Sequence, residues 1–145
     1  MIRKHYAKLS MPIRSSPASV YEAFVDPRQI SRFWLKRSAD RLERGIGVTW
    51  EFMVPGAVET TTASTLVPGE RIRFRWSDGV KVDIAIEKVT RGSSIVRIVS
   101  GPFSSTAKAV DATEGFCIVL CDLKLFLESG TSPGLVRAKA RLISA

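Results

Sequence analysis

Apolar and polar residues alternate from His5 to Ile13, with His5, Ala7, Leu9, Met11 and Ile13 on one side and Tyr6, Lys8, Ser10 and Pro12 on the other. A period of two predicts a half-buried strand, and Pro12, which lacks an amide hydrogen, places its end near a sheet edge. Ser16 offers a capping hydroxyl and Pro17 suits a first helical turn. In the helix that follows, Val20, Ala23 and Phe24 share one face. Asp26-Pro27 ends it, because the residue before a proline avoids the helical region. A second short helix is predicted over about 28–34, with Ile30, Phe33 and Trp34 inward and Arg28, Arg32 and Lys36 as an outward basic row at i, i+4, i+8.

The period returns to two from residue 46. Ile46, Val48, Trp50, Phe52 and Val54 alternate with polar or small neighbours up to the turn at Pro55-Gly56. Residues 57–67 form a Thr-rich strand with no clear facing. After Pro68-Gly69, the segments Arg71–Trp76 and Val80–Ile86 both alternate cleanly. Cross-strand partners share a face. Matching Trp76, Phe74 and Ile72 with Val80, Val82 and Ile84 therefore leaves Ser77-Asp78-Gly79 as a three-residue loop, with Gly79 free to take a positive φ. This register sets Arg73 opposite Asp83 on the wet face. A further strand covers about 94–100. It is apolar on both faces, with Ile95 and Val99 on one and Val96 and Ile98 on the other, so the facing of Arg97 stays open.

The longest helical pattern follows Gly101-Pro102. Phe116, Leu120, Leu123 and Leu127 recur at i, i+4, i+7, i+11, and Gly130 stands at the C-cap. Strands and helices are thus segregated, an α+β arrangement. About six antiparallel strands have one wet face and need cover on the other, and the long C-terminal helix is the cover available. Such a sheet gripping a helix tends to leave a cavity between them. Residues 1–130 read as a single domain. Residues 131–145 read as a basic C-terminal extension, for which fraying is the usual expectation.

Composition narrows the reading. A chain of 145 residues allows one domain with a core that needs no staples. No apolar run approaches the ~20 residues of a membrane span, and the start has no apolar h-region, so a cytoplasmic location is expected. The net charge of +8 is concentrated in residues 1–44, with ten basic and four acidic groups, and in the tail, with three basic and none acidic. The motifs of a nucleic-acid module are missing, so nucleic acid is not an expected partner and the charge reads as solvated surface. With His5 as the one histidine and Cys117 and Cys121 as the two cysteines, neither a metal site nor a cofactor is expected. The two thiols, four residues apart on one helix face, read as small buried core residues.

Ser19-Val20-Tyr21-Glu22-Ala23-Phe24-Val25-Asp26-Pro27, followed by Ile30 and Phe33-Trp34, resembles the opening of the START-like, or SRPBCC, superfamily. More narrowly it resembles the family named after activators of the heat-shock chaperone ATPase, with Tyr21 where tryptophan is usual. Leu66–Trp76 is similar to that family's proline-(x)-glutamate-arginine-leucine segment. Gly115-Phe116-(x)3-Leu120-(x)2-Leu123-(x)3-Leu127 is similar to its terminal helix, with Phe116 in place of the common tryptophan. The resemblance covers about residues 5–130 and implies a helix-grip fold. The family's serine/threonine-histidine-serine-glycine element stands here as Ile98-Val99-Ser100-Gly101, so no role for its histidine carries over.

The candidate site is a cavity between sheet and helix, with Trp34, Trp50, Phe52, Phe74, Trp76, Ile84, Arg97, Phe116 and Leu120 as its candidate lining. A site of that make-up suits a hydrophobic or amphipathic small molecule. The competing reading is that these side chains fill a core. A cyclase- or aromatase-like enzyme would need titratable groups aimed inward. The assigned inward faces carry none, and only Arg97, Glu59 or Glu51 would supply one if a register differed. A co-chaperone-like protein-binding role is implied by the family name alone. A homodimer, with the apolar-basic tail packed on a neighbour, is a further expectation.

Overall fold

Strand β1 (His5–Ile13) leads through α1 (Pro17–Val25) and α2 (Pro27–Phe33) to β2 (Leu35–Ser38) and β3 (Gly47–Phe52). Strands β4 (Val58–Val67), β5 (Arg71–Arg75), β6 (Lys81–Thr90) and β7 (Ser93–Phe103) follow, then α3 (Thr106–Ser129) and α4 (Leu135–Ser144). This is a computed structural model, and it describes residues 4–144. The seven strands form one antiparallel sheet in the order β1-β7-β6-β5-β4-β3-β2. Helix α3 packs against β1, β7, α1 and α2, and α4 packs on α3.

The helices begin and end where the local chemistry requires. The Ser16 hydroxyl accepts from the Ser19 amide at 3.2 Å, and Pro17 follows it. Asp26 serves two helices at once. Its amide donates to the Glu22 carbonyl at the end of α1, and its carboxylate accepts from the Arg28 amide at 2.9 Å at the start of α2. That second bond holds the Asp26 carboxyl below its usual range. Gly130 closes α3 with φ 77°, a conformation that costs glycine little.

The β5–β6 hairpin has the expected register. Phe74 faces Val82, Ile72 faces Ile84 and Arg73 faces Asp83. The Trp76 amide donates to the Val80 carbonyl across the loop, and Gly79 takes φ 88°. Both Arg71 and Arg73 bond Asp83, at 3.3 and 3.2 Å, on the solvent face.

Five details of the expectation need correction. The chain forms seven strands, because β2 follows α2 at once. Lys36 therefore leaves the helix, and the row Arg28, Arg32, Lys36 is broken at Phe33. Ile46 lies before β3 and is exposed. In β7, Ser94, Val96, Ile98 and Ser100 are buried while Arg97 and Val99 are exposed, so Arg97 points to the outer face, where it pairs with Glu87 at 3.2 Å. Arg97 is thus not a cavity residue. Finally, Cys117 is exposed and Cys121 half-buried, so these thiols are not core fillers.

The Thr-rich strand is also explained. Ala63 pairs with Phe74 and Leu66 with Ile72, so the register shifts by one residue at Ser64. Odd positions face inward before this bulge and even positions after it, which erases a simple period of two. Glu59, opposite Trp50, thereby falls on the inner face, where it accepts from the Ser77 hydroxyl at 2.7 Å.

Glu128 fastens α3 to β1. It accepts from the Arg14 amide at 2.9 Å and from Lys124 at 2.7 Å, and Lys124 also donates to the Pro12 carbonyl. The Arg14 amide, with Lys124 second, lowers the Glu128 pKa to about 2. A depressed carboxyl stabilises the fold above its ordinary value and loses that contribution as pH falls toward its folded one. Glu128→Gln is therefore expected to cost about 1–2 kcal/mol at pH 7. Urea unfolding at several pH values should show the gap to wild type narrowing between pH 4.5 and about 2.

Candidate functional site

The inner face of the sheet brings the tryptophans and phenylalanines together. Trp34, placed by the end of α2, lies 5.2 Å from Trp50, 6.0 Å from Phe116 and 6.5 Å from both Phe52 and Phe74, ring centre to ring centre. Trp50 lies 5.1 Å from Phe74, and Phe52 lies 5.8 Å from Trp76. Most of these pairs meet edge to face, the arrangement that ring quadrupoles favour. The Trp76 indole donates to the Thr61 hydroxyl at 3.0 Å, which anchors its polar edge. The Trp50 indole N–H is buried and has no acceptor among the described residues.

This cluster splits into a filled part and a hollow part. Trp50, Phe74, Ile84 and Leu120 are buried in the core and do not border the hollow between sheet and helices. Trp34, Phe52, Trp76 and Phe116 border a cavity of about 300 Å³. Its other walls come from the β3–β4 turn (Met53, Val54), from Phe103, from α3 (Ala112, Gly115, Ile118, Val119) and from α4 (Val136, Lys139, Ala140, Ile143). Sequence reasoning thus found the sheet side and missed the α4 side. The available signal was the spacing of Val136, Ala140 and Ile143 in the tail, which puts three apolar groups on one helical face.

Two features of α3 and α4 create the space. Gly115 sits within α3, and a Cβ added there would meet nothing within 4 Å. Glycine therefore leaves this stretch of the wall bare. Helix α4 is held in place by Asp122, 1% exposed, whose two carboxylate oxygens accept from the Leu135 and Val136 amides at 3.2 and 2.9 Å. A buried side chain of α3 thus caps the first turn of α4, leaving Ala140 against the cavity.

Among the described residues, Lys139 is the one titratable side chain on the cavity wall. It bonds Glu114, which raises its pKa and keeps it cationic. Glu59 and Glu51 do not border the cavity. Among the described residues no group of three His, Cys, Asp or Glu side chains is placed to hold a metal ion. The arrangement can accept apolar surface and exclude water from it.

Because glycine in a helix interior costs about 1 kcal/mol relative to alanine and the space here is open, Gly115→Ala should stabilise the protein by roughly 0.5–1 kcal/mol. Thermal unfolding of the two proteins in parallel checks this.

An antiparallel sheet packed on a long C-terminal helix, with an apolar hollow at one end, defines a helix-grip domain of the START-like, SRPBCC type. Residues 14–128 match the family described as Activator of Hsp90 ATPase homolog 1-like protein, and the chain belongs to that family. Solved structures agree. The protein SSP2350 from Staphylococcus saprophyticus is 26% identical, with 88% of this chain and 94% of that one covered and a TM-score of 0.79. The Aha1 dimer from Colwellia psychrerythraea is 17% identical, with 86% and 97% covered and a TM-score of 0.78. DynU16, a putative protein in the dynemicin biosynthetic locus, is 16% identical, with 90% and 49% covered and a TM-score of 0.79. A search of the curated proteins found no match. No helix among the described residues is long and apolar enough to cross a membrane.

Proposed function

We propose that this chain binds a hydrophobic or amphipathic small molecule in the open apolar hollow bordered by the sheet, α3 and α4. The observation that carries the reading is an apolar hollow of about 300 Å³ that Gly115 borders, with open space where a Cβ would stand. At ~30 Å³ per water-sized group, it admits roughly ten groups the size of a methylene. Its volume lies at the low end of the range of small-molecule sites, which are mostly apolar with a few placed polar groups. A cyclase-like reaction would need an acid or base on the wall, and among the described residues Lys139, held by Glu114, is the one titratable side chain there.

Calorimetric titration with 1-octanol, whose tail matches this volume, tests the reading. Saturable binding at one molecule per chain is expected. Heats that stay linear and unsaturated to the solubility limit would overturn it.

A further inference from the structure

We propose that the bound molecule is an anionic amphiphile, with its apolar body in the cavity and its acidic head between Arg32 and Arg137; this rests on the apolar-ligand reading above. Met53 and Val136 border the apolar cavity and also a second hollow of about 310 Å³. That second hollow is lined by polar side chains, with Arg32 from α2 on one side and Arg137 from α4 on the other. A third hollow, beyond Met53, shares Arg137 and adds Lys36 and Arg141. Beside the cavity, cations thus gather from α2, β2 and α4, the last about a hundred residues away in sequence from the other two.

Three of these cations are not consumed by ion pairs of the fold. Arg32, Lys36 and Arg137 make no ion pair among the described residues. The Arg32 guanidinium lies 5.3 Å from the centre of the Phe126 ring, a contact that positions the charge without neutralising it. One carboxylate borders the same hollow, Asp122, and both its oxygens are taken by amides of α4. Helix α4 adds three cations and no acid. Arg32 and Arg137, which border one hollow without an ion pair, repel one another and favour a negative group between them. A guanidinium pair suits a carboxylate, sulfonate or phosphate head, which it can bind through paired hydrogen bonds. A free anion would leave the adjoining apolar walls unused, and a neutral apolar molecule would leave the cations unused.

Octanoate and 1-octanol share a tail and differ in the head, so their comparison isolates the cations. At low ionic strength octanoate should bind about tenfold more tightly than 1-octanol, although an ionised head alone opposes burial. In Arg32→Gln/Arg137→Gln, two exposed positions, the order should reverse while 1-octanol binds within twofold of wild type. Inorganic phosphate alone should not compete with 1-octanol. Equal or weaker binding of octanoate to wild type, a preference that survives in the double variant, or phosphate binding as tightly as octanoate would each overturn the anionic head while leaving the apolar site standing. Binding of neither compound would overturn both readings.

Discussion

Trp34→Ala should lower the unfolding free energy by about 3–5 kcal/mol, the largest single loss expected in this chain. Trp34 is 5% exposed and meets five other rings, those of Phe24, Trp50, Phe52, Phe74 and Phe116. They belong to α1, β3, β5 and α3, so one indole joins the short helices, the sheet and the long helix. Truncation removes its own burial and leaves a void whose neighbours are large and cannot collapse into it. Each lost edge-to-face pair adds about 0.5–1.5 kcal/mol beyond area burial, with shared partners making the sum less than additive. Trp34→Phe keeps part of the packing and should lose less than half as much. Urea unfolding followed by far-ultraviolet circular dichroism measures both. A Trp34→Ala loss below about 1 kcal/mol would mean the cluster is not a packed unit.

Asp122→Ala should release α4 while leaving the sheet and α3 folded. The two amides that Asp122 accepts belong to the first turn of α4, where a helix has no internal partners for them. Hydrogen bonds to a charged acceptor contribute about 1.5–3 kcal/mol each, and some of this returns because the buried carboxylate is itself removed. A net loss of about 2 kcal/mol in local stability corresponds to roughly thirtyfold faster opening of α4. Hydrogen exchange should show it in the α4 amides, with protection in β6 and β7 unchanged. Asp122→Asn keeps one acceptor and should restore part of the protection. Since α4 supplies one wall of the cavity, Asp122→Ala should weaken 1-octanol binding as well.

Much of the fold was legible because its signals are local. The proline and serine punctuation around α1, the Asp26-Pro27 break and the apolar stripe from Phe116 to Leu127 each reflect short-range chemistry. The β5–β6 register followed from the rule that facing partners share a side. What escaped was set by distant partners. Strand β2 has four residues, too few for a period to declare itself, and Leu35 finds its place by pairing with Phe52. The bulge at Ser64 reverses the facing of β4, so its alternation cancels along the strand. Arg97 was undecided because β7 carries apolar residues on both faces, and the choice is made by its neighbours β1 and β6. At the site, Trp34, Phe52, Trp76 and Phe116 were readable as an aromatic set, but nothing local separates them from Trp50, Phe74, Ile84 and Leu120, which fill the core. The fourth wall depended on Asp122 reaching the amides of Leu135 and Val136, a contact that no spacing announces. The basic tail, expected as an extension, folds as α4 over the cavity mouth.

Gly115→Leu tests most directly whether this hollow is a ligand site. The substitution places apolar atoms into open space from a helix position that leucine favours, so the fold should keep or gain stability. Wild type should bind 1-octanol saturably at one per chain, and Gly115→Leu should bind it at least about tenfold more weakly while unfolding at the same or a higher temperature. Unchanged 1-octanol affinity in a folded Gly115→Leu protein would contradict the placement of the ligand between sheet, α3 and α4.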